Sequence, residues 1–567
     1  MKKNSLTTAV VAGIAGVAGL ANVSNAVNLN PDGLGQVLIY PYYGVNAGNV
    51  TLISVVNTTD SVKAVKVRFL EALNSREVLD FNLYLSPFDV WTAQVAPDGA
   101  NGAGVMTTSD RSCTVPTIPA AGVAFRNFAY TGSFDDDQIN TLDRTREGHL
   151  EMIEMGTVLD TNGAAFNAGS SFADAATHVN GVPLSCATLV NSWAAGQWAT
   201  NSTFGRNCSV ANCGVDNSVQ GGIFGGGEIV DVGNGTSVSY NPDAIEAFYT
   251  LATTTLHTNP GSVRPTLSQA QTSALGDADA VVFSPNSPTG VITLDFTTGF
   301  PNAVSSVFMH DAIYNEYNTE PGFRGKSEWV ITFPTKRLHI EQTAATVAAA
   351  RALRRPFTDN VDDSDGAGQV NPAGVDSVDT LVFDTFGSCE DIALSFFDRE
   401  EGPDAPAAVV DFSPPPEGEF GGFALCYETN VLTFNQEAEL TPVGGSSAVL
   451  GARIIANNVN LGNAAGQAVN AGWAQVAFVS DEDGNGTIDN FLLDNNGSAI
   501  TARNQLFGLP VTGFWAANYV NTAAQPGLLA NFAGVHKHRA SRFARTAIVT
   551  GEGTATESIV TTTFAAS

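Results

Sequence analysis

The sharpest chemical spacing in this chain belongs to Asp481, Asp483, Asn485, Thr487 and Asp489, which lie in the run Asp481-Glu482-Asp483-Gly484-Asn485-Gly486-Thr487-Ile488-Asp489. Oxygen-bearing side chains at alternate positions of a loop converge on one hard cation, and Gly486 stands where such a loop must turn sharply. The spacing predicts a calcium site. Leu492 occupies the place where an EF-hand supplies a bidentate Glu, and strand-like sequence flanks the run, so Asp494 or water would complete the ligand set. The same residues also suit an acidic hairpin turn, because Asp-Gly and Asn-Gly are good turn formers.

Other acidic clusters carry less chemistry. Asp135-Asp136-Asp137 and the run from Asp359 to Gly366 suit solvated loops, or cation contacts between copies of the chain. The stretch from His536 to Arg545 is basic in an acidic chain. Its Lys537, Arg539, Arg542 and Arg545 could grip anionic lipopolysaccharide or the acidic face of a neighbouring copy. They could equally pair with Asp and Glu of their own chain.

Six cysteines remain after residue 26, and an even number in an exported chain predicts disulfides. Of the fifteen possible connectivities we choose Cys113 with Cys186, Cys208 with Cys213, and Cys389 with Cys426. Zinc is disfavoured: there is no CxxC, and no His lies within a few residues of any Cys. Neither GxSxG nor HExxH occurs, and none of the seven histidines sits in a catalytic motif. The expectation is a protein without catalytic residues.

The elements that must position these groups follow from composition and period. Lys2 and Lys3, the apolar run from Ala9 to Leu20, and the small residues Ser24 and Ala26 predict an export signal cleaved after Ala26. Removing that segment takes the formal charge from −30 to −32. Nucleic acid is excluded as a partner, since phosphate binding needs a basic surface. Hard divalent cations are favoured instead. A hydrophobic content of 44% with 33 Phe supports a large core.

Gln36 to Tyr40 reads as a strand closed by Pro41, and Val65 to Phe69 and Phe81 to Leu85 alternate as half-buried strands. Asn57 to Asp60 is a turn, and Gly221 to Gly227 reads as a loop. More strands are predicted at Val281–Phe283, Val291–Phe296, Glu328–Phe333, Thr380–Phe383, Ala424–Phe434, Ala474–Phe478 and Val511–Phe514, with one helix over 343–355. The expected fold class is mainly β, with one or more Ig-like β-sandwich units, long Gly/Asn/Ser/Thr-rich loop insertions and few short helices. Composition divides the chain into a signal segment (1–26), a sandwich-like region (27–155), a Gly/Asn/Ser-rich insertion (156–300), a β-rich region with the helix (301–440) and a C-terminal β region (441–567).

The blocks Gln36 to Tyr43, Asn74 to Pro87, Trp329 to Arg337 and Gly508 to Phe514 resemble the surface-layer (S-layer) proteins of marine Gram-negative bacteria, the Gammaproteobacteria. That resemblance implies a secreted structural subunit that assembles with itself on the outer membrane, and it brings no catalytic or binding residues with it. Closely tiled acidic subunits need calcium or another divalent ion to screen them. Two rival expectations are a secreted glycan-binding module or glycan-active enzyme, using Trp91, Trp193, Trp198 and Trp515 as sugar platforms, and an outer-membrane β-barrel.

Overall fold

The computed structural model describes residues 26–99, 102–136, 138–160, 171–194, 198, 215–216, 220–250, 256–272, 277–284, 287, 290–296, 301–340, 356–357, 370–371, 375–376, 389–399, 403–404, 423–435, 445–461, 469–478, 490–494, 502–525, 528–550 and 558–561. The chain is mainly β, and its described helices are short. Among the described residues no sheet closes on itself.

The first half builds two facing sheets. Its principal strands are β1 (Val37–Gly44), β2 (Asn49–Asn57), β3 (Val62–Glu71), β4 (Glu77–Leu85), β5 (Val90–Pro97), β6 (Gly104–Thr107), β7 (Glu147–Val158), β8 (Ile223–Asp231), β9 (Thr236–Tyr240) and β10 (Asp243–Glu246). A wide, eight-stranded sheet runs β10-β1-β7-β3-β4, with short strands at its ends. A six-stranded sheet runs β9-β8-β2-β5-β6. Between them Tyr40, Val67, Phe81, Ile53, Trp91 and Ile229 form one apolar core. Period-two alternation sends the neighbouring Val37, Ile39, Ala64 and Tyr84 to the reverse face of the wide sheet. There they meet α1 (Phe172–Ala176), α2 (Cys186–Ala194) and α3 (Pro301–Phe308). The wide sheet is therefore covered on both sides.

The second half builds another pair. β11 (Ala312–Asn318), β13 (Glu390–Asp398) and β16 (Ala471–Ala477) form the centre of a six-stranded sheet. A five-stranded sheet runs through β15 (Ala456–Asn460), β14 (Thr429–Asn435), β12 (Lys326–Thr332), β17 (Thr512–Gln525) and β18 (Leu528–Lys537). Trp329, Ile331, Phe434, Tyr317 and Trp515 pack between these sheets. The alternate residues Val330, Val431 and Phe514 point the other way, into the first core beside Tyr42 and Tyr240. The five-stranded sheet thus joins the two sandwiches, and Thr332 Oγ1 donates to Pro41 O across the junction at 2.6 Å.

Three expectations change. Pro41 lies inside β1 and does not close it. The pairing of β1 with β7 skips from Gly148 to Leu150 at that point, so the missing proline N–H leaves no ladder bond unmade. The glycine run belongs to β8, paired with β2, and is no loop from Ile223 onward. Glycine is required there because a Cβ on Gly225 would lie 2.0 Å from Tyr40 Oη, and one on Gly227 2.2 Å from Tyr240 Cζ. Third, β3 is buried along its whole length, charged residues included. The helix expected over 343–355 and the strand at Thr380–Phe383 lie outside the described residues.

Candidate functional site

The polar residues of β3 find partners on β4 and β7. Lys63 Nζ donates to Glu154 at 2.9 Å, and Glu154 also accepts from Gly221 N at 2.8 Å. Lys66 Nζ contacts the Asp80 carboxylate and donates to Pro260 O at 2.9 Å. Arg68 spans two carboxylates, Glu77 at 2.9 Å and Glu151 at 2.6 Å. At the end of the strand Glu71 accepts from Arg144 at 2.7 Å, and Arg144 also holds Asp136 at 2.7 Å while its guanidinium lies 4.2 Å from the Tyr130 ring centre. The Arg144 contact, with a bond from Asn74, holds the Asp136 carboxyl below the usual range although burial works against it. Asp136 is an internal ion-pair partner and not a solvated loop residue. Desolvating charges is tolerable here because each one has an opposite charge and further hydrogen bonds.

A second set of buried carboxylates clamps loops. Glu147 accepts from Arg453 N at 2.9 Å and Ile454 N at 2.7 Å. Glu328 accepts from Val449 N at 2.8 Å, Leu450 N at 2.9 Å and Ser447 Oγ at 2.8 Å. Glu428 accepts from Arg337 N where the two sandwiches meet, and burial pushes its carboxyl up to about 8. For Glu328 a Glu inside a strand was the available sequence signal, but period-two reasoning assigns such a residue to solvent; Glu147 and Glu428 stand at strand starts and gave no such signal.

These contacts decide what the surface presents. Lys63, Lys66 and Lys336 have no exposed area, and Lys336 donates to Leu425 O and Cys426 O, each at 3.3 Å. Three of the five lysines after residue 26 are therefore internal. The basic stretch is largely tied to its own chain. Lys537 pairs with Asp243. Arg542 donates to Val307 O and Met309 O at the end of α3, each at 2.9 Å, and to Phe283 O at 2.6 Å. Arg545 donates to Gln505 at 2.9 Å and lies over the Phe507 ring at 4.4 Å. Arg539 is exposed.

The outer face of the six-stranded sheet holds a groove of about 820 Å³. Ser54, Thr92, Gln94, Thr107, Ser239 and Asn241 line it beside Leu52 and Glu228, so hydroxyl and amide groups alternate with apolar surface and one carboxylate. Gly226 lies in its lining, where a Cβ would meet Ser54 Oγ at 3.5 Å.

Asp481, Asp483, Asn485, Thr487 and Asp489 lie outside the described residues, as do Asp359 to Gly366, Cys208 and Cys213. Asp494 is described: it is buried and accepts from Asn504 N at 3.0 Å and Asn504 Nδ2 at 2.8 Å. Among the described residues no group of three or more His, Cys, Asp or Glu is placed to hold a metal. Cys113–Cys186 and Cys389–Cys426 are disulfide-bonded. The tryptophans expected as sugar platforms are withdrawn from solvent. Trp91, Trp198 and Trp515 are buried, and half-buried Trp193 donates to Tyr84 Oη at 3.0 Å. Among the described residues no helix is long and apolar enough to cross a membrane. Comparison with protein-family models, with curated proteins and with solved structures finds no match.

Proposed function

We propose that this protein is an exported structural subunit of a bacterial surface layer, tiling with itself outside the outer membrane with the help of divalent cations. The observation that carries this reading is the inward placement of positive charge. Lys63, Lys66, Arg68, Arg144 and Lys336 lie in the interior, most of them paired with buried carboxylates such as Glu71, Asp136, Glu151 and Glu154, so the outside of a chain of formal charge −30 stays strongly anionic and keeps few lysines. Copies of such a surface repel one another at lattice spacing unless ions bridge or screen them, and carboxylate oxygens select hard divalent ions. Two disulfides suit an oxidising exterior, and the signal-like start of the sequence agrees with export. The calcium-like run from Asp481 to Asp489 is the proposed metal site, and exposed Arg539 is the remaining basic candidate for an anionic anchor such as lipopolysaccharide.

Negative-stain microscopy of the purified mature chain tests this. Ordered sheets are expected with millimolar calcium and isolated particles after chelation; isolated particles under both conditions would end the proposal.

A second reading rests on the groove. Its hydroxyl and amide groups, set beside apolar surface and the Glu228 carboxylate, suit a glycan, which a secreted binding module would take. Glycan-array binding that is lost in Gln94→Ala favours that module over a coat subunit.

A further inference from the structure

Lys66 and Asp80 sit on neighbouring strands β3 and β4, on the ion-paired face of the wide sheet. Lys66 lies opposite Asn82 and Asp80 opposite Arg68, so their side chains are diagonal neighbours. Lys66 Nζ is in direct contact with the Asp80 carboxylate, and Pro260 O fixes the amine from the far side at 2.9 Å. The Lys66 side chain is fully buried and that of Asp80 is 16% exposed. Glu154, the partner of Lys63, differs: backbone amides of Gly221 and Gln220 hold its anion. Among the described residues no backbone amide donates to the Asp80 carboxylate.

We propose that Lys66 and Asp80 condense, without any other protein, into an amide cross-link between β3 and β4. The Nζ lone pair attacks Asp80 Cγ, the Nζ–Cγ bond forms, and one Cγ–Oδ bond breaks. The protons lost by nitrogen leave with the departing oxygen as water. An ammonium–carboxylate pair has the same atoms as an amide plus one water, so no oxidant, reductant or co-substrate is needed. Two conditions favour the step. Holding the reacting atoms together is equivalent to an effective concentration of roughly 10⁵–10⁸ M. The pair is also inclined to its neutral, reactive form: burial, helped by Arg68, lowers the Lys66 ammonium, while burial and then Glu77 push Asp80 up to about 6. Glu77, held by Arg68 Nε at 2.9 Å, is the neighbouring carboxylate suited to carry the proton from nitrogen to the leaving oxygen. The exposed edge of Asp80 gives the water an exit.

The test is mass spectrometry of the full chain, folded, incubated at length, then denatured and cut with trypsin. Wild type is expected to yield a branched peptide joining residues 64–68 to residues 77–111, lighter than the two parts by one water. Lys66→Arg and Asp80→Ala should each abolish it. Glu77→Gln should slow its formation by roughly 100-fold. Cleavage after Lys63 should proceed normally, since the backbone amides of Gly221 and Gln220 hold the carboxylate of its partner Glu154. Cleavage after Lys66 in wild type, with 77–111 recovered separately at full mass, overturns the cross-link without any variant having to fold. Equal rates for wild type and Glu77→Gln overturn the role of Glu77.

Discussion

The two sandwiches are cemented differently. The first uses charge: Lys63–Glu154, Arg68 with Glu77 and Glu151, and Arg144 with Glu71 and Asp136 all lie within it. Rings pack in both, Phe69 against Phe125 at 4.9 Å in the first, but the second relies on them: Tyr317 stacks on Phe434 at 5.5 Å, Phe397 on Trp473 at 4.3 Å, and Trp515 on His536 at 5.1 Å. Among the described residues its own ion pair, Arg399–Glu320, is exposed. Where a core stores cations, the surface above it loses them. The first sandwich therefore does two things at once: it orders its strands through directional pairs, and it takes cations off the surface together with the carboxylates that they neutralise. The second contributes packing, and its buried Glu328 and Glu428 accept from backbone amides.

The strongest way to break this contrast is Arg144→Met. It strands Glu71 and Asp136 without a counter-charge and should cost about 3–5 kcal/mol in denaturant unfolding. A loss no greater than that of a single ring contact would mean that the first sandwich does not depend on its buried charges.

The junction is probed by pH. Glu428 is held up at about 8 in the folded state against an ordinary 4.5. Its contribution to stability is complete below pH 4.5 and disappears as pH rises through 8, because only the folded state keeps the proton in that window. The slope should be on the order of 1.4 kcal/mol per pH unit from this group, and Glu428→Gln should flatten it. Parallel pH–stability curves for wild type and variant would contradict this.

Ring cement is weaker per contact. Tyr317→Leu should cost about 1–2 kcal/mol, mostly the lost stack on Phe434. Thermal unfolding of that variant beside Arg144→Met gives the ratio that the contrast predicts. The smallest effect belongs to Arg399→Ala, whose side chain is 64% exposed and whose pair with Glu320 should be worth under about 1 kcal/mol. Raising the salt concentration should erase even that.

Much of the fold was legible because strands announce themselves by alternation. Val65 to Phe69 and Phe81 to Leu85 fall in strands, as does the predicted Glu328–Phe333 up to Thr332. Two of the three chosen cysteine pairs are bonded. Alternation misled where both faces of a sheet are covered, since Lys66 and Arg68 then point at carboxylates on other strands and not at water. Pairings such as Arg68–Glu151 join residues 83 apart, and a local period carries no information about them. The strand through Gly225 and Gly227 was hidden for a related reason: its glycines answer to Tyr40 and Tyr240, far away in sequence. The acidic balance of the chain was plain from composition, whereas the internal location of its cations was not.

The central claim is that the lysines of the first sandwich and the junction are inside while the surface keeps few positive groups. Amine-reactive labelling of the native protein, read by peptide mass, tests it directly. Lys326 and Lys537 should label rapidly, and Lys63 and Lys336 only after unfolding. Labelling of Lys63 and Lys336 in the native protein at the rate of Lys326 would contradict the account.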